Sequence, residues 1–248
     1  MKLINTEWEK MNLNIDSCEI IFDDKDALMV EDDIVKLIND NIKNNYEYIV
    51  LKTNIVTAHL FNVLQLLNFR YAENQFLLKL NKNDFYKSYA YKKFDSNEYS
   101  YMQINKTSML DLVISEIRKG VFKTDRIAYD SCFGIDISNI RYSNWAKQIL
   151  KSDHAKGYII YKNSVPIGFE IGKKRENFFD IMLSGVFVNY QKKGVGNYWQ
   201  RAFLNMIFNE YETVYTTVSS NNLAIIKVRQ KANFVIEKIS TVYVKHSF

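Results

Sequence analysis

One strand–helix–strand pattern occurs twice in this chain, and the repeat limits the possible folds more than any other feature. Both copies open on a Tyr-Glu pair, and both reach an Asn-Phe pair at the same distance downstream. Identical residues fall in register without a gap at Tyr46/Tyr211, Glu47/Glu212, Val63/Val228, Gln65/Gln230, Asn68/Asn233 and Phe69/Phe234. A chain built in this way is expected to contain two related α/β lobes.

The hydrophobic pattern between the copies adds further elements to the second lobe. Strands are predicted at 99–104, 157–161, 167–171 and 178–188, and helices at 106–119, 137–151 and 197–211. With the second copy, the order becomes β-α-α-β-β-β-α-β-α-β, which is typical of a mixed α/β sheet. We therefore predict a domain at 100–248 and a smaller N-terminal lobe at 1–95, linked by a tract rich in Tyr and Phe at 84–100.

Composition excludes several classes of protein. All 8 glycines and the single proline lie between Gly120 and Gly196, which excludes collagen-like chains and Pro/Gly-rich disorder. A 47% hydrophobic content is enough for a sizeable core. The net charge of +5 is spread over mixed signs, so no nucleic-acid partner is expected.

The sequence also predicts the compartment. No apolar run approaches the length of a membrane span, and the N-terminus has no apolar signal-peptide core. A cytoplasmic protein without a membrane partner is therefore expected. Cys18 and Cys132 are isolated from each other in the sequence, so neither a disulfide framework nor a metal site is predicted.

The segment from Val186 to Gly196 carries the clearest functional pattern, because an apolar strand runs directly into a helix through a loop with two glycines. Glycine lets the backbone approach a ligand closely, and the unpaired N–H groups at a helix start attract anions. Lys192 and Lys193 add positive charge. The spacing is not a Rossmann fingerprint, since Trp199 takes the place of the third glycine, and the chain has no Walker loop.

Two motifs in this region resemble a known family. The Gln-x-x-Gly-x-Gly spacing at Gln191, Gly194 and Gly196 resembles the acyl-CoA signature of the GNAT superfamily of N-acetyltransferases. The run from Asn222 to Phe234 is similar to that family's second motif, Asn-x-x-Ala-x-x-Leu-Tyr-x-x-x-Gly-Phe. The resemblance covers roughly residues 100–248. It implies the GNAT fold, a mixed and mostly antiparallel sheet with helices on both faces, and the N-terminal lobe resembles a partial unit of that fold.

The resemblance also implies an acyl-CoA co-substrate, acetyl-CoA or a related short-chain acyl-CoA, and no metal. The residues that it assigns to the co-substrate are Val186, Phe187, Val188, Gln191, Lys192, Lys193, Gly194, Val195, Gly196, Asn222 and Arg229.

The second motif departs from the family at three positions. Ile225 takes the place of the alanine, Arg229 stands where the family often has a catalytic tyrosine, and Asn233 replaces the glycine before Phe234. An arginine side chain does not give up its proton, so the usual general-acid assignment does not apply. Arg229 is instead expected to bind a phosphate or CoA, with an ordinary surface arginine as the alternative.

A second resemblance concerns the acceptor. The segment from Thr124 to Asp130, followed by Tyr142-Ser143-Asn144-Trp145, is similar to bacterial TDP-fucosamine acetyltransferases and related nucleotide-amino-sugar N-acyltransferases. It implies acyl transfer to the amine of a nucleotide-linked, dTDP-type, amino-deoxy sugar in O-antigen or surface polysaccharide biosynthesis, and a homodimer. On this resemblance Tyr129, Asp130 and Tyr142 contact the substrate, and Asp130 is the first candidate for catalysis.

The chemistry of the family is attack by a neutral amine on a thioester, so the protein must stabilise an oxyanion and let a proton leave. The resemblance implies that residues 186–188 splay from the neighbouring strand, pair with the pantetheine arm and present a backbone N–H to the oxyanion. Gly185 would help by bulging the strand, or would only permit close packing. Either bulk water removes the proton or a base does so, and the candidates are Asp130, Glu170, Asp180 and His154, of which Glu170 and Asp180 are otherwise solvent-facing carboxylates.

Other functions on the same fold remain open at this stage. One is an N-acetyltransferase that acts on a different small amine or on a protein amine. The other is a non-catalytic acyl-CoA-binding protein, which the missing tyrosine favours. Tyr129 and Tyr142 have core packing as their alternative role.

Overall fold

The computed structural model describes residues 1–42, 46–95 and 97–247, which form ten α-helices and ten β-strands. The helices are α1 (Glu7–Leu13), α2 (Asp24–Ala27), α3 (Glu31–Asn41), α4 (Ala58–Leu66), α5 (Lys82–Lys87), α6 (Tyr89–Lys93), α7 (Thr107–Arg118), α8 (Gly134–Leu150), α9 (Val195–Ile207) and α10 (Leu223–Lys231). The strands are β1 (Lys2–Asn5), β2 (Ser17–Ile21), β3 (Tyr48–Thr53), β4 (Arg70–Asn81), β5 (Tyr99–Gln103), β6 (Ala155–Lys162), β7 (Val165–Lys174), β8 (Phe178–Val186), β9 (Thr213–Ser219) and β10 (Val235–His246).

The mixed α/β prediction is confirmed, including the order of elements in the second lobe. The predicted strand at 178–188 ends at Val186, because Val188–Tyr190 turn into a short 3-10 helix. The predicted helix at 197–211 begins earlier, at Val195, directly after a left-handed Gly194. Among the described residues, no helix has the length and apolar content that crossing a bilayer requires.

The contacts of the chain group it into two compact units. Unit 1 comprises Met1–Phe76 together with the residues from Lys238 onward, and unit 2 comprises Leu77–Glu237. The chain therefore passes from one unit to the other inside β4 and returns inside β10. The predicted domains at 1–95 and 100–248 rest on sequence similarity and stay a prediction. The two contact-based units have other bounds, because most of β10 belongs to unit 1.

Unit 1 contains a sheet in the order β1-β2-β3-β10. β1 pairs antiparallel with β2, β2 parallel with β3, and β3 antiparallel with β10. Apolar side chains of α3 and α4, including Ile34 and Leu60, are fully buried with the strand residues Ile20 and Leu51. This core explains why the apolar face of each helix is turned to the sheet.

Unit 2 contains strands in the order β9-β8-β7-β6-β5, all antiparallel except the β8–β9 pair. Ile159 belongs to a core cluster with Val113 of α7 and Ile149 of α8. The next residue along β6, Ile160, belongs to a cluster with Trp199 of α9. Because successive side chains of a strand point to opposite faces, helices cover both faces of this sheet, as the fold prediction requires.

The two copies of the repeat end their helices in the same way. Asn68 and Asn233 both have a left-handed backbone, with φ of 62° and 67°. After α4, the N–H of Phe69 donates to the carbonyl of Leu64 and the N–H of Asn68 donates to Gln65. After α10, Phe234 and Asn233 donate to Arg229 and Gln230 at the same spacing. This is the Schellman motif, and asparagine tolerates its left-handed position better than most residues other than glycine. Asn233 therefore adopts the left-handed backbone for which the family motif has a glycine.

Candidate functional site

Strand β8 separates from β9 halfway along its length. The parallel pairing runs from Phe178–Thr213 to Ile181–Thr216 and then stops. The pairing of β8 with β7 on its other side continues as far as Val186. The backbone of residues 182–186 is therefore left with an edge that can pair with an extended ligand. The separation predicted at 186–188 thus begins earlier, at Met182, and Val188 belongs to the 3-10 helix and not to the strand.

The bulge in β8 lies at Met182 rather than at Gly185. Ile171 is opposite Leu183, but Gly172 is opposite Ile181, so Met182 is the extra residue on β8. Gly185 is in regular register, and a Cβ there would lie 2.6 Å from side-chain atoms of both Phe169 and Val121. The idea that Gly185 bulges the strand is wrong, and its role is close packing.

The loop after β8 is anchored by Gln191. Its side-chain amide donates to the carbonyl of Val186 at 3.1 Å and to that of Val121 at 3.5 Å. Lys192 and Gly194 both have positive φ, 61° and 74°. These contacts turn the chain sharply between the end of the strand and the start of the helix.

The first turn of α9 is open to a ligand. No side chain caps its N-terminus in the part of the chain that the structure describes, so its first N–H groups are available to an anion. A Cβ at Gly194 would meet no atom within 4 Å, so the space above the loop is free. Gly196 has a different role, because a Cβ there would lie 3.3 Å from a methyl group of Val228 in α10.

A cavity of about 450 Å³ lies beside this turn. Its lining comes from the segment before β5, from β5 and β6, and from the loop and first turn of α9: Asp95, Asn97, Glu98, Tyr99, Lys162, Lys193, Val195 and Tyr198. The rings of Tyr99 and Tyr198 are stacked with centroids 5.7 Å apart, and the ammonium of Lys162 lies 5.6 Å from the centroid of Tyr99. The two carboxylates of the lining balance its two amines, and the ammonium of Lys162 lies 3.6 Å from the carboxylate of Glu98. No sequence motif pointed to Tyr99, Lys162 or Tyr198, because they are far apart along the chain and only the fold brings them together.

A buried polar network lies on the α9 and α10 side of the separating strands. Arg229 is 1% exposed. One nitrogen of its guanidinium, Nη1, donates to Oε1 of Gln200 at 2.9 Å. The other, Nη2, donates to Oγ of Ser184 at 2.9 Å and lies 3.7 Å from Oε1 of Glu170. Ser184 in turn donates to Oε2 of Glu170.

Burial raises the pKa of Glu170 from 4.5 to about 7, against the opposing effects of Arg229 and of the hydrogen bond from Ser184. The carboxyl has no solvent exposure at all. The sequence interpretation of Glu170 as a solvent-facing carboxylate is therefore wrong. The helix-covered faces of the sheet are the reason, since both sides of β7 are buried.

Arg229 is not a surface arginine, and its guanidinium has three partners in this network. The predicted contact with a phosphate or with CoA would require the network to open. Asn222, also assigned to the co-substrate, caps α10 by accepting a hydrogen bond from the N–H of Ile225 at 3.2 Å.

The predicted acceptor residues lie in different surroundings. Tyr129 is 63% exposed. The Asp130 carboxylate accepts a hydrogen bond from the N–H of Cys132 at 3.0 Å. Tyr142 lies on α8, where its ring is stacked on Phe122 with centroids 4.1 Å apart and packs against the core cluster. This is the packing role that was its alternative, and a role in binding stays a prediction.

Two further base candidates can be placed. Asp180 is partly buried on β8, where burial raises the pKa of its carboxyl. His154 lies before β6 with a positive φ of 64°, at the turn that precedes the strand. The roles of all the predicted site residues stay predictions.

Sequence comparisons do not place the chain, since no protein-family model and no curated protein matches it. Solved structures do match. A conserved protein of unknown function from Staphylococcus epidermidis has a TM-score of 0.66 at 13% identity, over 97% of this chain and 89% of that one.

Two other solved structures have acetyltransferase names. A GCN5-related N-acetyltransferase from Kribbella flavida has a TM-score of 0.55 at 8% identity, over 93% of this chain and 81% of that one. A tandem GNAT protein from the clavulanic acid biosynthesis pathway has a TM-score of 0.54 at 10% identity, over 86% and 67%. The chain thus has the fold of the GCN5-related N-acetyltransferases.

Proposed function

We propose that this protein is an acyl-CoA-dependent N-acyltransferase that moves a short acyl group to an amine. One observation carries the proposal: the open edge of β8 leads directly into an uncapped helix start with a glycine loop, on a GNAT fold. A strand edge and a helix N-terminus, side by side, match the two halves of the co-substrate, a chain of amides and a pyrophosphate.

The residues of the loop fit such a ligand. The pantetheine amides suit the backbone groups of residues 182–186 on the side of β8 that does not pair with β7. The pyrophosphate suits the first N–H groups of α9, where the absence of a Cβ at Gly194 leaves free space. Lys193 lines the adjacent cavity and supplies positive charge.

The reaction asks little more of the protein. An amine nitrogen forms a bond to the thioester carbon, the carbon–sulfur bond breaks, and one proton passes from nitrogen to sulfur. A backbone N–H on the open edge of β8, near the Met182 bulge, is placed to stabilise the oxyanion that forms in between.

For the acceptor, we propose the amine of a nucleotide-linked amino-deoxy sugar of the dTDP type. This part rests on the sequence resemblance of residues 124–130 and 142–145. Its support from the fold is that Val121, just before that segment, accepts a hydrogen bond from Gln191 of the loop. The loop is thus hydrogen-bonded to the chain three residues before the acceptor segment.

Two measurements test the proposal. Calorimetry with CoA and acetyl-CoA tests binding, and absence of binding to either would contradict it. Release of the thiol from acetyl-CoA, followed with a panel of dTDP- and UDP-linked amino sugars, polyamines and lysine peptides, then identifies the acceptor.

The panel also separates the alternatives. Turnover with a peptide or simple amine alone would replace the nucleotide-sugar acceptor. Tight CoA binding without thiol release would favour a non-catalytic acyl-CoA-binding protein. This alternative is kept because Arg229 stands in the place of the family's catalytic tyrosine.

A further inference from the structure

The buried network reaches the proposed site through a single residue. Glu170 has no exposure and Arg229 has 1%, whereas Ser184 is partly exposed and lies on the stretch of β8 that has left β9. Ser184 also lies two residues beyond the Met182 bulge, where an oxyanion-binding N–H is proposed. The Ser184 hydroxyl thus donates to a buried carboxyl and belongs to a partly exposed residue on the open edge of the strand.

We propose that Ser184 exchanges protons with the reacting atoms, and that Glu170 is the positioning residue behind it that accepts and returns the proton. This inference rests on the proposed function. In it, Ser184 is a catalytic residue that the sequence motifs do not contain, and Glu170 acts only through the hydroxyl.

The proton balance of the relay closes within the site. As the carbon–nitrogen bond forms, the amine proton passes to Oγ of Ser184, and the hydroxyl proton passes to Oε2 of Glu170. As the carbon–sulfur bond breaks, Ser184 protonates the thiolate and recovers its own proton from Glu170. The products are an amide and a free thiol, and no outside acid or base is consumed.

The groups around Glu170 suit this role. Ser184 faces it from β8 and Arg229 from α10, while Tyr158 is its register partner on β6 and Gln200 of α9 holds the guanidinium. Arg229 is the one charged group among these four. Burial favours the neutral carboxyl of Glu170, and the Arg229 guanidinium opposes this by favouring the ionised form. The pKa of Glu170 is about 7 as a result, so both protonation forms are accessible near neutral pH.

The bond arrangement also orients the hydroxyl. Because Nη2 of Arg229 donates to Oγ of Ser184, the serine proton is directed toward Glu170 and not toward the guanidinium. One lone pair of Oγ then remains for a third partner, such as an amine hydrogen.

The test uses the full-length protein, with thiol release from acetyl-CoA measured against pH at saturating concentrations of the best acceptor, or water if no amine reacts. Ser184→Ala is expected to lower kcat about 100-fold with little change in CoA affinity, in the range of general acid–base catalysis. Ser184→Thr keeps the hydroxyl and is expected to restore most of the activity. Ser88→Ala, which removes a buried serine that caps α6, is the matched control for loss of a serine.

The pH profile tests Glu170. Wild-type kcat is expected to rise with an inflection near 7. The Glu170→Gln, Arg229→Met double variant, which keeps the buried site neutral, should lose that inflection while circular dichroism shows that it is folded. An unchanged profile, or full activity of Ser184→Ala, would overturn the relay and leave the proposed function intact. A wild type that binds CoA but releases no thiol with any acceptor would overturn the relay and the proposed acyl transfer together, and would leave only the CoA site. Failure to bind CoA would instead contradict the proposed function itself.

Discussion

The two copies of the repeat share one helix design and differ in what the helix buries. α4 and α10 are each capped by a side chain at the start, Thr57 or Asn222, and by the same Schellman motif at the end. The residue whose carbonyl closes the motif is Leu64 in the first copy and Arg229 in the second, and both are buried. The framework therefore does not need the charge. Arg229 is there because of what it faces, which is Glu170 and Ser184.

The strongest way to break this comparison is to put the charge into the first copy. Leu64→Arg would bury a guanidinium without a carboxyl partner in unit 1, and we expect a loss of about 5 kcal/mol or more, enough to prevent folding. Urea denaturation and expression level measure this. Leu66→Arg is the control on the same helix, since Leu66 is 73% exposed, and equal losses in the two variants would contradict the comparison.

The reverse exchange, Arg229→Leu, leaves Glu170 buried without its counter-charge. We expect a loss of about 3–5 kcal/mol in the free energy of unfolding at pH 8, because an unpaired buried carboxylate is costly. The Glu170→Leu, Arg229→Leu double variant removes both charges and should regain most of the stability. If the double variant is no more stable than the single one, the cost does not come from the pair.

The pH dependence of stability sharpens the same point. Glu170 titrates near 4.5 when unfolded and at about 7 when folded, so the native state holds an extra proton between these values. The free energy of unfolding should therefore fall as the pH rises from 4.5 to 7, by at most about 1.4 kcal/mol for each unit. Urea midpoints across this range should lose that slope in Glu170→Gln and keep it in Glu176→Gln, an exposed control.

The glycine loop has no counterpart in the first copy, so a substitution within it should lower CoA affinity without changing the fold. Gly194→Glu places a negative side chain where a pyrophosphate is proposed, and we expect CoA affinity to fall on the order of 100-fold, about 2.7 kcal/mol. Gly134→Glu is the matched control, because Gly134 has a similar φ of 78° and equally free space. Calorimetry gives the affinity and circular dichroism confirms the fold; similar affinity losses at both glycines would show that strain and not the loop is responsible.

The smallest effects are expected at the shared caps. Asn68→Ala and Asn233→Ala force alanine into a left-handed backbone, at a cost of about 1 kcal/mol each. Asn233 should cost slightly more, because its side chain also donates to the carbonyl of Asp84 at 3.0 Å. Asn68→Gly is expected to be close to neutral. Thermal melts measure these costs. If Asn68→Ala were more stable than Asn68→Gly, the left-handed cap would not explain why asparagine recurs in both copies.

Local pattern was enough for the order of elements from β5 onward and for the glycine loop, because each is encoded in a short stretch of sequence. It missed α5 and α6, which lie largely in the tract at 84–100 that was predicted as a link. The buried network was out of reach, since Glu170, Ser184, Gln200 and Arg229 come from four different elements. The alternating pattern around Glu170 even indicated a solvent-facing side chain, although the residue is buried. Such alternation indicates a solvent face only when one face of the sheet is uncovered. The Met182 bulge depends on the register between β7 and β8, which no single strand specifies.

The passage of the chain through β4 and β10 affects how the protein is made. Tyr243 pairs with Leu51 and Val244 with Val50, so the strand that pairs with β3 in unit 1 comes from the last residues described. During synthesis, the β3 edge of unit 1 stays unpaired until β10 has left the ribosome, whereas unit 2 needs that strand only as far as Glu237. Translation from the N-terminus therefore reverses the expected order, and the unit that is made first is completed last.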